Sequence, residues 1–150
     1  MRIYYGSNTI VKSPDLRAIG HHKDFGFGFY CTALEHQARR WALTRHGGHV
    51  VNVYDLLGYD GCALRMFQEM TEEWLDFIVD CRRGVVHAYD IVEGPMADDQ
   101  IWNYIEDFMA GLISRAAFWE LVKFRYPTHQ IAFCSPKALR CITYIDSYTL

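Results

Sequence analysis

The sequence predicts a single α+β domain spanning residues 1–150. Strand-like and helix-like segments follow one another without the regular strand-helix-strand alternation of a parallel sheet, and no linker, repeat or low-complexity tract divides the chain. Half of the residues (51%) are hydrophobic, and a chain of 150 residues buries roughly two thirds of its unfolded surface. A packed core therefore needs no disulfide or metal to hold it.

The elements read in order as follows. Arg2 to Tyr5 is a short strand closed by the turn-forming Gly6-Ser7-Asn8, and a polar loop from Ser13 to Gly26 follows. Phe27 to Thr32 is a second strand. Thr32 with Glu35 has the spacing of a capping box, which predicts a helix running to about His46, ended by Gly47-Gly48. His49 to Leu56 and Ala63 to Phe67 are strands. Thr71 caps a helix whose Trp74, Leu75, Ile78 and Val79 form one apolar stripe, with Arg82-Arg83 at its end.

Val85 to Val92 reads as the next strand, stopped by Gly94-Pro95. Asp98-Asp99 then opens a helix with Ile101, Ile105, Phe108 and Met109 on one side, closed by Gly111. Ser114 caps another that turns Ala117, Phe118, Leu121 and Val122 inward. His129 to Cys134 is a strand, Ser135-Pro136 starts a short helix, and Cys141 to Ile145 is the last strand.

Composition narrows the function classes. A formal net charge of −3 argues against general polyanion binding, and the tight basic pairs Arg39-Arg40 and Arg82-Arg83 fit a solvated helix face or helix end. No run approaches the ~18 apolar residues of a membrane span. Met1-Arg2-Ile3-Tyr4 begins as a strand with no apolar signal core, so the expected location is the cytoplasm. Cys31, Cys62, Cys81, Cys134 and Cys141 show no metal or redox spacing and read as reduced thiols; Cys31 has no paired His and Asp to make it a nucleophile. The adjacent His21-His22 is the only histidine pair, and no metal is expected.

The tract Asp24-Phe25-Gly26-Phe27-Gly28-Phe29-Tyr30-Cys31-Thr32 lacks the third glycine of a dinucleotide fingerprint. It resembles instead the G-[FI]-Y-[SF]-[TA] strand of diphtheria toxin and the poly(ADP-ribose) polymerases. In those families a second aromatic lies eleven residues after the tyrosine, and here that position is Trp41. Tyr4-Tyr5-Gly6-Ser7 is similar to the Y-H-G-[ST] strand of the same superfamily, with Tyr5 in place of histidine. In the slot of the family's late, glutamate-bearing strand stands His129-Gln130-Ile131-Ala132-Phe133, with Gln130 or His129 replacing the glutamate. The middle of the chain, including Tyr89-Asp90-Ile91-Val92, Gly94-Pro95 and Ala97-Asp98-Asp99, is similar to a group of short bacterial uncharacterised proteins in that superfamily, suspected toxins of toxin-antitoxin pairs.

The resemblance implies split antiparallel sheets with helices packed around an NAD cleft. It also implies mono-ADP-ribosyl transfer from NAD to an intracellular acceptor (protein, nucleic acid or small molecule) and a cognate antitoxin as partner. Loss of the glutamate leaves a catalytically weak or inactive NAD or ADP-ribose binder as the alternative. Breaking the nicotinamide glycosidic bond requires a held ring and a stabilised oxocarbenium ion. On this reading Tyr30 and Trp41 hold the ring, Gly6 opens its backbone to the nicotinamide amide, and Ser7 adds a hydroxyl. Tyr5 and Gln130 address the ribose, as the catalytic pair. Strand alternation lets only one of His129 and Gln130 face the cleft. Asp98-Asp99 reads as helix capping before substrate contact, and Asp24 as a turn residue or a contact to ribose.

Overall fold

The structure is a computed structural model that describes residues 1–16, 23–123 and 127–150. The pair His21-His22 and part of the loop after Ser13 lie outside the described residues.

Twelve elements follow in chain order: β1 Arg2–Ser7, β2 Phe29–Cys31, α1 Glu35–Leu43, β3 Val50–Leu56, β4 Leu64–Met66, α2 Glu72–Arg82, β5 Ile91–Gly94, α3 Asp99–Met109, α4 Arg115–Val122, β6 Gln130–Phe133, α5 Pro136–Leu139 and β7 Ile142–Thr149. The strands divide between two sheets, an antiparallel one ordered β1-β3-β7 and a second ordered β2-β6-β5-β4. The domain is α+β, and the second sheet is mixed, because β4 pairs with β5 in parallel.

Side-chain alternation distributes three apolar clusters over these sheets. Ile3, Phe29, Cys31, Tyr54, Ile91, Ile131, Phe133 and Ile142 fill the space between the sheets. The opposite face of the second sheet, carrying Tyr30, Val92 and Ala132, packs against Trp74, Leu75 and Ile78 of α2, Ile101 and Ile105 of α3 and Phe118 of α4. Helix α1 lies on the outer face of the first sheet, where Ala38 and Ala42 meet Val51. At roughly 1.5–3 kcal/mol for each large apolar side chain taken from water, these clusters dominate the stability of the fold.

The helix caps expected at Thr71, Asp98, Ser114 and Ser135 all form, each side chain accepting a backbone N–H of the first turn. Several expectations change. The capping box at Thr32 and Glu35 is absent: Leu34 is the N-cap of α1, Thr32 Oγ1 accepts the Leu34 N–H at 3.0 Å, and Glu35 accepts instead from the Tyr148 hydroxyl. The strand expected from Val85 begins only at Ile91. The preceding stretch is irregular, with Val86 92% exposed and the His87 ring bridging Phe25 O and the Tyr89 N–H. The apolar β-branched pair Val85-Val86 therefore marks surface rather than sheet. Leu121 of α4 is exposed while Phe118 and Val122 are buried. The thiols of Cys62 and Cys141, distant in sequence, stand 3.5 Å apart.

Candidate functional site

Among the described residues one backbone bridge joins the two sheets. Tyr4 on β1 exchanges both backbone hydrogen bonds with Thr32, at 2.8 and 2.9 Å, and beyond this bridge β1 and β2 diverge. A cleft of about 210 Å³ opens where they part. That is below the roughly 300 Å³ at which pockets for whole drug-sized molecules begin, so it suits one ring of a ligand whose remainder lies along the mouth.

Four expected residues line the cleft together: Tyr5, Tyr30, Trp41 and Gln130. Tyr30 is 8% exposed and belongs to the core, with its rim in the cleft wall. Its hydroxyl donates to Gly26 O at 2.6 Å and accepts the Phe25 N–H at 3.0 Å, which fixes the ring and closes the loop onto the strand. Burial holds the Tyr30 phenol far above its ordinary pKa, with Cys134 and Asp24 adding to the shift, so the ring stays neutral. Trp41 projects from α1, and Tyr5 packs its ring 4.6 Å from that of Phe29.

Gly6 and Ser7 are not part of the cleft wall. A Cβ at Gly6 would collide with the Ala38 carbonyl, stand 2.6 Å from Ala42 N and 2.9 Å from the Trp41 Cβ. The glycine is there so that α1 can lie directly on β1, which is a different reason from access by a ligand. Its polar groups still have a direction. Backbone groups alternate between strand edges, so Gly6, two residues beyond Tyr4, turns its N–H and C=O to the edge that Tyr4 presents to Thr32, where β2 has already left. Neither group bonds to β2 among the described residues. Ser7 is buried, with its hydroxyl 3.4 Å from the Thr9 N–H of the following turn.

Of the late-strand pair, Gln130 faces the cleft and His129 does not. His129 Nδ1 accepts the Ala33 N–H at 2.9 Å, which leaves its proton on Nε2, donated to Glu93 at 2.8 Å. Tyr59 donates to the other Glu93 oxygen at 2.7 Å. Burial alone pushes the Glu93 carboxyl upward, but the hydrogen bonds from His129 and Tyr59 outweigh it and hold the group below its ordinary value.

Sequence reasoning named Asp24 as a possible contact but missed the cations that line the cleft with it. Lys23, Arg45 and Arg82 face the cleft beside a single carboxylate, Asp24, in a chain of net charge −3. Lys23 holds its ammonium 4.9 Å from the centre of the Tyr30 ring; loss of solvation there, then the nearby Arg45, lower its pKa. Arg82 stands in the last turn of α2, as expected, but it is not part of a solvated face. It donates through Nε (3.2 Å) and a terminal nitrogen to Asp24 and stacks 3.6 Å over the Trp102 ring. Asp24 is 4% exposed and also accepts the Ala97 N–H at 2.8 Å and the Gln130 amide at 3.0 Å. The basic pair was legible, but its partner lies 58 residues away and carries no local signal.

The other expected residues take their plainer roles. Asp98 caps α3, and burial pushes the Cys31 thiol well above its ordinary pKa, leaving no thiolate to act as a nucleophile. Among the described residues no group of three potential ligands could hold a metal, and no helix is long and apolar enough to cross a membrane. Two further concavities, of about 340 Å³ beside Val86 and 550 Å³ beside Trp119, bring none of the expected residues together.

Residues 1–144 match the model of a family described as Protein of unknown function (DUF3990). No curated protein and no solved structure matches the chain.

Proposed function

We propose, starting from the fact that the chain belongs to the DUF3990 family of unknown function, that its cleft binds NAD and transfers ADP-ribose to an acceptor. The observation that carries the reading is the meeting of Tyr5, Tyr30 and Trp41 with Lys23 and Arg45 in one cleft. An aromatic wall suits the nicotinamide ring, and cations at the mouth suit the pyrophosphate attached to it. The divergence of β1 from β2, which frees the Gly6 edge, supports an ADP-ribosyltransferase-like arrangement with the nicotinamide amide bound at that edge.

A pyridinium over an aromatic face gains roughly 0.5–2 kcal/mol, and this preference is lost when the ring leaves as neutral nicotinamide. Tyr5 and Gln130 then address the ribose as the oxocarbenium ion forms. The acceptor is a protein, nucleic acid or small molecule, and a toxin role would require a cognate antitoxin.

Calorimetry with NAD tests the binding, and nicotinamide release over time tests the turnover. Binding and release that both disappear in Trp41→Ala support the reading; an NAD signal untouched by that change contradicts it. One observation favours a second reading, an NAD or ADP-ribose binder without turnover: Gln130 brings no charge to the ribose, and the one carboxylate in the cleft wall is already paired with Arg82. Binding without nicotinamide release would select it.

A further inference from the structure

The orientation of the Gln130 amide is forced by its neighbours. Its Nε2 lies 3.0 Å from Asp24 Oδ2 and 3.3 Å from Pro95 O, both acceptors, so the nitrogen must face inward. No side-chain donor reaches Gln130 Oε1 among the described residues. Because no sealed side-chain oxygen there lacks a partner, Oε1 looks into the open cleft that Gln130 lines. Behind the amide, Asp24 is clamped on every side: Oδ2 also takes the Ala97 N–H, and Oδ1 takes both Arg82 donors. Both residues of the pair are nearly buried, at 4% exposure each. A buried carboxylate costs much free energy unless its charge is matched, and Arg82, braced on Trp102, matches it without approaching Gln130 in place of Asp24.

We infer that Asp24 is the positioning residue of this cleft, holding Gln130 Oε1 toward the ribose and setting a negative charge one hydrogen bond behind it. The inference rests on the transferase reading above. In the step concerned, the bond from ribose C1′ to the nicotinamide nitrogen breaks and its electron pair leaves with the nitrogen, so the pyridinium becomes neutral nicotinamide and C1′ an oxocarbenium ion. An acceptor hydroxyl or amine then bonds to C1′ and its proton passes to solvent. Gln130 Oε1 accepts the ribose 2′-hydroxyl throughout. Asp24, paired with Arg82, accepts the Nε2–H and polarises the amide, so Gln130 presents a more negative oxygen than a free amide would. No proton moves along the pair. Two residues thus share the work of one carboxylate.

Asp24→Asn keeps the shape, removes the charge and frees the Gln130 amide to turn over. The expected result is a fall in kcat for nicotinamide release of about a hundredfold, with KM for NAD changed by less than about threefold. The double variant Asp24→Asn with Gln130→Glu moves the carboxylate to the touching position and is expected to recover at least about a tenth of the wild-type rate. A residue that merely anchors the loop would lower the melting temperature, leave kcat of the folded protein unchanged and gain nothing from the second substitution; that outcome overturns the inference. Should Asp24→Asn alone fail to fold, the double variant carries the test, since a folded but inert double variant also overturns it. Wild-type protein that releases no nicotinamide overturns the transferase reading itself, whereas wild-type turnover with an undiminished Asp24→Asn variant removes only the role of Asp24.

Discussion

The Lys23 ammonium stands over the Tyr30 ring, 4.9 Å from its centre, in the place the proposed reading gives to a pyridinium. The cleft thus already holds a cation against its aromatic wall. On the proposed reading a positively charged ligand ring displaces Lys23, which then meets the phosphates that follow that ring.

Lys23→Ala should weaken NAD binding about fivefold to tenfold, the loss of one charge-assisted contact worth roughly 1–1.4 kcal/mol, while free nicotinamide, whose ring no longer has to displace the ammonium, binds no more weakly than before. Calorimetry with both ligands checks this. Equal weakening of the two would place Lys23 on the ring rather than on the phosphates.

Gly6→Ala should destabilise the fold by about 3 kcal/mol, because the added methyl enters the backbone of α1 and the helix must lift from β1. Denaturant unfolding measures it directly. A change below ~0.5 kcal/mol would mean that α1 moves aside freely.

Arg82→Ala should cost about 3–5 kcal/mol by stranding the buried Asp24 carboxylate, and the double variant with Asp24→Ala should recover part of that loss. A strictly additive pair of losses in thermal melts would show the two residues to be uncoupled.

Glu93 gives the protein an acid-sensitive contact. Its folded pKa is depressed, so its contribution is complete above the unfolded carboxylate value, roughly 4.3, and is lost as the pH falls through the lower folded value. Melting temperature measured downward from about pH 6 should therefore fall less steeply in Glu93→Gln than in the wild type. Parallel acid limbs would contradict the assignment.

Local chemistry made much of the fold legible. The stripe Trp74, Leu75, Ile78 and Val79 and the caps at Thr71, Asp98, Ser114 and Ser135 depend on residues within one or two helical turns, and each appears as read. The failures are tertiary. Val85-Val86 satisfies strand propensity but finds no ladder partner, and Glu35 follows the capping spacing but is taken by Tyr148 from 113 residues away. In the cleft, Tyr5, Tyr30, Trp41 and Gln130 were readable because their types and spacing resemble a known pattern. The Asp24, Arg82 and Gln130 network was not, since its members are joined only by folding. Gly6 was singled out for access by a ligand, and the structure adds a reason the sequence did not show, the seating of α1 on β1.

If Tyr30 and Trp41 hold the nicotinamide of NAD as proposed, titration of NAD into wild type, Tyr30→Phe and Trp41→Ala will set Trp41→Ala apart from the other two. Trp41→Ala keeps the Cβ that packs near Gly6, and Tyr30→Phe keeps the ring. Binding is expected in the wild type, near-normal binding in Tyr30→Phe, and at least about a tenfold loss in Trp41→Ala. NAD heats that are absent from the wild type, or the same in all three proteins, would contradict the proposal.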